Sequence, residues 1–516
     1  MKKRLLSGLL AVACITMLSA QDGPWPNPCG TPAGKSVWLK KYQLNPEAHN
    51  RNVDTVIYVP LSIHLVGNDA GEGFFRTTKL LDALCKLNED YAEANIYFYM
   101  EGEPEYISNS AWYNHDTVLV GAEMMFANNV EHTVNTYFVS DPAGNCGYNL
   151  PYAGIAMSKS CSDANEDTWA HEIGHNLSLP HPFLGWEGGV SYDGSVPHNF
   201  NDPAPVWVTY NYTFFKDTLI LDTLIIDTAL VELVDGSNCQ VAADGFCGTS
   251  PDYLSGRWIC NGNSESPVEQ TDPSGAKFRS DGTLIMGYAD DPCQARFTSD
   301  QIAAMRANLY EEKPDYLYNQ TPAPAIGDGP ITLNTPLDDE TIQFNDAFLS
   351  WEPVENAAFY VVQVSLLPNF SSAIAQEYIS IEPFLLLDNL LNNRTYYWRI
   401  RPYNSHSFCT APSGSRTFQT ADLVHVNTIE GVSAAKLFPN PTGSGQAVML
   451  EFRSDHSFSA QLELRSAAGQ LLARKTATIH TGDNHLEMDT QGMPAGLYFL
   501  WLECPQGRLV ERMLVR

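Results

Sequence analysis

The stretch HEIGHNLSLPH, residues 171–181, holds three of the chain's 13 histidines. Residues four apart share one face of a helix, so His171 and His175 can point at a single ion. Glu172 stands one step round, beside a water held by that ion. His181 lies too far beyond His175 to continue the same face, and Pro180 agrees with a helix that has already ended. Two ligands on a helix and a third past a turn leave one coordination position open. That is the arrangement of a catalytic zinc ion, whereas structural sites are closed by four protein ligands. An H-E-x-x-H string arises by chance in a chain of this composition on the order of once in a hundred, and a third histidine lowers that further.

The chain around this motif is long and acidic. Its 516 residues suggest about three domains. Acids outnumber bases 60 to 30, for a net charge of −30, which argues against nucleic acid and anionic membranes as partners. Apolar content of 44% is ample for packed cores. Lys2, Lys3 and Arg4 precede an apolar run from Leu5 to Leu18, then Ser19 and Ala20, so residues 1–20 read as a signal peptide. A lipoprotein signal ending at Cys14 is the weaker alternative. No later stretch is apolar for long enough to span a membrane. Export makes disulfides possible. Close neighbours suggest Cys146–Cys161, Cys239–Cys247 and Cys260–Cys293, while Cys409 and Cys504 have no evident partner.

Alternation and periodicity divide the rest. VWLKKYQ is a short helix, TVIYVPLSIHLV a strand and TTKLLDALCKLNEDYAEA an amphipathic helix. NIYFYM, HTVNTYFVS and AGIAMSKS are further strands, and EDTWAHEIGHNLSL is the motif helix. Residues 206–234 alternate over a long run and predict a β-hairpin or an added sheet that covers part of a cleft. FTSDQIAAMRANLYEE restores a helix, capped by Thr298 or Ser299. TPAPAIGDGP is a linker, after which the pattern is all strand.

The full motif resembles H-E-x-x-H-x-x-G-x-x-H, the signature of the metzincin zinc peptidases, with Ser178 where the pattern has glycine. That position suits a positive-φ turn, where serine implies a strain of roughly 1 kcal/mol or a shifted turn. TLIMGYADDPCQARFT is similar to the family's methionine turn and puts Met286 beneath the zinc, with Tyr288 as a donor to the oxyanion. SNCQVAADGFCGTSPDY, WIC and MGYADDPCQARFTSDQIAAM look like the pappalysin and cytophagalysin branch, over roughly residues 29–310. The resemblance implies an α/β (α+β) catalytic domain. It also implies a reaction: zinc on His171, His175 and His181 activates water, Glu172 takes the proton and delivers it to the leaving amine, and a peptide bond is cut. PCGTPAG resembles a cysteine switch, with the Cys29 thiolate in the open position; a Cys29–Cys85 disulfide is the competing reading. Calcium is a second expected cofactor, with Asp244, Asp252, Asp290 and Asp291 as oxygen donors and no ligand assigned. Substrate would pair with an edge strand of the sheet, AGIAMSKS.

Further on, Trp351, Tyr360, Leu390 and Tyr397 sit where they resemble a fibronectin type III core. LFPNPTG, LELRSAAGQLL, GMPAGLYFLWL and RLVERMLVR together resemble the C-terminal sorting domain of type IX secretion cargo in Bacteroidetes. That implies the type IX machinery as a partner and a secreted or cell-surface location. The expected organisation is therefore multidomain: signal 1–20, pro-segment 21–53, zinc peptidase 54–318, linker 319–330, fibronectin-like β-sandwich 331–421, linker 422–434 and sorting β-sandwich 435–516. The expected function is a secreted zinc endopeptidase acting on proteins or peptides. The alternative is a non-catalytic surface binder that keeps a structural zinc site; another class of zinc hydrolase fits Met286 and His181 less well.

Overall fold

The computed structural model describes residues 27–49, 54–187, 199–216, 219–421, 429–466, 470–505 and 507–516. The signal peptide and its lipoprotein alternative lie outside the described residues. The chain divides into two compact units, one running from the N-terminus to Gln419 and one made mainly of Thr420–Arg516, which also takes in residues 342–345 and 390–393.

The first unit opens with strand β1 (Asn27–Cys29) and helix α1 (Val37–Leu44). Strand β2 (Ile57–Gly67) is buried along almost its whole length, as a strand covered on both faces must be. Helix α2 (Thr77–Asp90) buries Leu80, Leu81, Leu84 and Leu87, the three-and-four spacing of one helical face. Strands β3 (Ile96–Met100) and β4 (Glu105–Ser108), helix α3 (Val118–Asn128), and strands β5 (Val134–Val139), β6 (Asn145–Leu150) and β7 (Gly154–Ser158) follow. The sheet order is β1-β6-β7-β5-β2-β3, with β4 also on β2. Only β6 and β7 run antiparallel.

This order corrects one expectation. AGIAMSKS is not an edge: β7 lies between β5 and β6. The edge of the chain's own later strands is β6, NCGYNL, and β1 already lies along it. The sequence marks β6 only faintly because it carries a cysteine, a glycine and two asparagines and few strand formers.

Helix α4 (Thr168–Asn176) carries the motif, and almost every residue in it is buried. It is held from behind by α2. The Tyr91 hydroxyl donates to the Ala170 carbonyl at 3.0 Å, and Lys86 bridges Asp90 and Asp167 at the start of α4. Strands β8 (Trp207–Lys216) and β9 (Leu219–Leu230) form the expected antiparallel hairpin, with Trp207 opposite Leu230. Helix α5 (Ser299–Glu311) starts at a capping box in which Thr298 and Gln301 exchange side-chain bonds, so Thr298 is the cap.

The fibronectin-like sandwich belongs to the same unit. Strands Leu333–Thr335, Ala347–Trp351 and Phe384–Leu387 form one sheet; Arg416–Ala421, Thr395–Tyr403, Phe359–Ser365 and Gln376–Ser380 lie side by side in the other. Trp351 and Tyr360 are core, as expected, and Leu390, one of the residues the second unit takes in, is buried, but Tyr397 is not. The strand alternates, so Tyr396, Trp398 and Ile400 face inward and Tyr397 is half-buried on the other face. The sandwich does not hang on a free tether. Val361, Tyr403 and Phe408 join the same apolar cluster as Leu81, Leu84 and Ile173. Arg401 reaches Asp82 at 2.6 Å, His406 stacks on Tyr99 at 4.5 Å, and Cys409 forms a disulfide with Cys85 of α2. This corrects the Cys29–Cys85 alternative and supplies the partner Cys409 lacked. The three short-range disulfides form as the spacing suggested, and Cys29 and Cys504 keep their thiols.

The second unit, taken by itself, packs two sheets. One contains Val432–Phe438, Val448–Ser454 and Gly482–Met488; the other contains Leu471–Ile479, Phe458–Ser466, Gly496–Cys504 and Gly507–Val515. Leu450, Phe452, Leu462, Leu500, Leu502 and Met513 fill its core.

Peptide mapping without reduction should recover Cys85 and Cys409 in one cross-linked species. A Cys29–Cys85 species instead would refute both the staple to the sandwich and the unoxidised thiol at Cys29.

Candidate metal centre and its cleft

Helix α4 brings His171 and His175 together, and a tight reversal brings His181 to them. After Asn176 the helix closes with a pair of bonds, Ser178 N–H to His175 O and Leu179 N–H to Gly174 O, both 2.9 Å. This is the Schellman pattern, whose reversing residue is left-handed and usually glycine. Ser178 holds φ +74°, so serine takes the turn the pattern reserves for glycine. Its Oγ accepts from Asn308 Nδ2 of α5 at 3.1 Å, a bond glycine could not make.

The three Nε2 atoms converge. His171 lies 3.0 Å from His175 and 3.2 Å from His181, and His175 lies 3.1 Å from His181. Two Nδ1 atoms are fixed outward: His171 to Ile285 O and His175 to Leu179 O, each 2.7 Å. A proton on Nδ1 leaves a lone pair on Nε2, so those two rings turn lone pairs toward His181 and toward each other. Burial lowers the pKa of His171 to about 4. Burial and then the neighbouring imidazoles push His175 and His181 well below their usual range. Protonation therefore does not relieve the repulsion. The Cys29 Sγ completes the group, 3.5 Å from His175 Nε2. A tetrahedral ion with bonds of about 2.0–2.1 Å to nitrogen and about 2.3 Å to sulfur spaces its donors about 3.3–3.6 Å apart. The donor set fits zinc in kind and number, with the nitrogens slightly closer together than that spacing.

Glu172 is fully buried beside this group. Its Oε2 accepts from the Thr31 hydroxyl at 2.7 Å, and its Oε1 has no hydrogen-bond partner among the described residues. Burial raises its pKa to about 8. Met286 forms the floor, at the turn closed by Gly287 N–H to Leu284 O. A Cβ on Gly174 would lie 2.4 Å from Met286 Sδ, so the motif's central glycine is needed for the methionine to sit under the helix. The Tyr288 hydroxyl donates to the Cys29 carbonyl at 3.3 Å.

The N-terminal segment fills the cleft. β1 pairs in parallel with β6, Cys29 opposite Gly147, and Gly30 N–H continues the ladder to Gly147 O at 2.9 Å. A side chain at Gly30 would strike Asn145 at 2.6 Å, which explains the glycine of the C-G-T element. Thr31 Oγ1 also accepts from Asn149 N–H at 2.7 Å, so one hydroxyl ties the segment to both the edge strand and Glu172. Downstream, Gln43 donates to Asp244 O at 2.7 Å, and Lys35 faces Asp244 and Glu232. Trp38, Leu39 and Tyr42 of α1 enter the main core. The base of the β8–β9 hairpin joins the cleft wall: Val208, Tyr210 and Ala229 pack with Phe183, Trp186 and Tyr288.

The four aspartates offered as calcium donors do not gather at one point among the described residues. Asp244 accepts from Phe246 N–H and Thr249, Asp252 from Ser280 and Leu254 N–H, and Asp291 pairs with Arg257. Asp290 accepts from Cys260 N–H. The places of Thr31 and Glu187 do not follow from the sequence, although Thr31 lies inside the C-G-T element and Glu187 is the one acid after the apolar run PFLGW.

Residues 436–516 match the family described as Secretion system C-terminal sorting domain. The second unit is thus a sorting domain, and the protein is exported across the outer membrane, to the cell surface or beyond. No helix of the described residues is long and apolar enough to cross a membrane. No curated protein matches the chain. Among solved structures, a mutant of Tannerella forsythia promirolysin shares 16% identity over 56% of this chain and 97% of its own, with a TM-score of 0.36. The fn3 domain of human contactin 1 shares 18% identity over 20% of this chain and 89% of its own, with a TM-score of 0.16. The fn3 domain of the human collagen alpha-1(XX) chain shares 22% identity over 18% and 86%, with a TM-score of 0.14.

Gly174→Ala should destabilise the protein by about 1–3 kcal/mol through overpacking against Met286. The cost should shrink in a Met286→Ala background, measured as a double-mutant cycle in denaturant. Ser178→Ala keeps the strained turn and loses the Asn308 bond, so it should cost about 1–2 kcal/mol in the same assay.

Proposed function

We propose that the chain is a secreted zinc-dependent endopeptidase of the metzincin type, made as a latent precursor. The observation that carries this is the convergence of three neutral imidazole nitrogens beside a buried carboxylate, with an extended strand of the chain's own N-terminus lying across them. Zinc bound there supplies Lewis acidity, lowering the pKa of a water and polarising the scissile carbonyl. His171, His175 and His181 would hold the ion, with Cys29 as a further donor until the N-terminal segment leaves. Glu172 takes the proton from water and passes it to the leaving amine. Tyr288, which now donates to the Cys29 carbonyl, would donate to the substrate carbonyl in its place. β6 would receive an extended substrate along the edge that β1 occupies.

Latency has three parts in this reading. The Cys29 thiol closes the metal, the Thr31 hydroxyl holds Glu172, and β1 covers the edge of β6. Burial, and then the Glu172 carboxylate, push the Cys29 thiol well above its usual pKa when no cation is near. A thiolate there therefore depends on the ion for its charge balance.

One observation favours a second reading. With Cys29 counted, the site has four protein ligands, the number a purely structural zinc site uses. The binder alternative would keep that closed site and do no chemistry.

The two separate on trimming. The chain should hold one zinc, and removal of residues 21–53 should switch on cleavage of denatured protein. Glu172→Ala should lower that cleavage by about 10²–10⁴-fold while keeping the metal. Cys29→Ala should raise the activity of the untrimmed chain. One zinc per chain with no cleavage in any form would favour the binder.

The N-terminal segment should also be released more readily by Lys35→Ala. That change strands Asp244 and Glu232 without their cation, and faster hydrogen exchange over residues 27–49 would show it.

A further inference from the structure

The three histidines are not supported alike. His171 and His175 each donate Nδ1–H to a backbone carbonyl at 2.7 Å. His181 Nδ1 has instead a carboxylate oxygen, Glu187 Oε1, at 3.6 Å, just beyond hydrogen-bond reach. The other oxygen, Oε2, is anchored by Gly185 N–H at 2.7 Å. Oε1 is buried and has no hydrogen-bond partner among the described residues. A carboxylate oxygen left unpaired in a wall built from Phe183, Leu184 and Trp186 is costly unless something else compensates. Phe183 stacks on the His181 ring at 4.5 Å and 12°, so the ring slides in its own plane more easily than it tips.

We propose that Glu187 is the positioning residue of the third histidine, accepting His181 Nδ1–H when a zinc ion draws on Nε2. It fixes the tautomer that leaves Nε2 free for the metal and raises the basicity of that one ligand. It also adds a second carboxylate beside the site, next to His181. Ligating histidines commonly donate their second N–H to a carboxylate, and loss of that partner weakens metal binding by about 10–100-fold. His181 needs this more than the other two do. It lies beyond the strained turn at Ser178 rather than on the helix, and among the described residues no backbone carbonyl accepts from its Nδ1.

This inference rests on the zinc reading above, and the test separates the two. Full-length chain is stripped of metal, its melting temperature recorded, and Zn²⁺ alone titrated against a chromophoric chelator. Wild type, Glu187→Ala and Glu187→Gln are compared, and the absorption of each is read after loading with Co²⁺. Glu187→Ala should weaken Zn²⁺ binding about 10–100-fold and alter the Co²⁺ ligand-field bands. Glu187→Gln, which keeps an acceptor and loses the charge, should weaken it about three- to tenfold and decides the matter if the alanine form does not fold. Binding within twofold of wild type overturns the role of Glu187 alone. So does an unchanged Co²⁺ spectrum, with affinity falling only in step with the melting temperature, because it assigns Glu187 to loop packing. A wild-type chain that takes up no Zn²⁺ overturns the zinc reading and this inference together.

Discussion

Three imidazole Nε2 atoms lie within 3.2 Å of one another in a buried site, an arrangement that the surrounding packing has to hold. Much of the first unit serves that requirement. The helix supplies two of the nitrogens, and carbonyls at Ile285 and Leu179 hold their rings so that the nitrogens cannot turn away. Without a cation the arrangement is repulsive, and the donors are of the kind and number that a zinc ion takes. The cost of holding the ligands ready is met by packing elsewhere in the core, notably by α2 and the strands beneath it.

The third ligand depends on backbone geometry rather than on the helix. Ser178 in a left-handed conformation turns the chain within two residues, and Asn308 of α5 steadies it. The helix can approach the methionine floor because Gly174 has no side chain. The chain's own N-terminus lies beside the histidines as an extended strand, with glycine at position 30, where a Cβ would strike Asn145. Histidines, turn, floor and edge strand are thus fixed by a few contacts, each traceable to one residue type.

Much of this could be read from residues alone. His171, His175 and His181 follow from spacing, and the positive φ of Ser178 follows from the break at Pro180 and the place of a glycine in the pattern. A strand pair or added sheet at 206–234 and a cap at Thr298 or Ser299 follow from alternation and side-chain chemistry, and the structure selects the hairpin and Thr298. What could not be read is long-range. Nothing local marks NCGYNL as the edge strand, because edges are defined by the neighbours a strand lacks. Tyr397 stands one residue out of phase with the core it resembles, because three aromatics in a row hide the alternation. Cys409 has no evident partner in the sequence because its partner lies 324 residues away. Glu187 carries no signal apart from being an acid after an apolar run, and its significance needs the distance to His181.

The bond between Cys85 and Cys409 has a consequence for how the molecule comes to be made. The cross-link closes a loop that spans the motif helix, the hairpin and most of the sandwich, so it forms only once residue 409 has reached an oxidising compartment. Until then α2, whose Lys86 and the neighbouring Tyr91 bear on the start of the motif helix, lacks its covalent tie. Shortening the chain before the sandwich would leave an odd thiol at Cys85 and an exposed apolar face where Val361, Tyr403 and Phe408 belong. The unit of inheritance for this histidine-bearing body is therefore larger than its motifs suggest: the β-sandwich that follows it travels with it as a part of its architecture, and a recombination event that separated the two would hand on an incomplete fold.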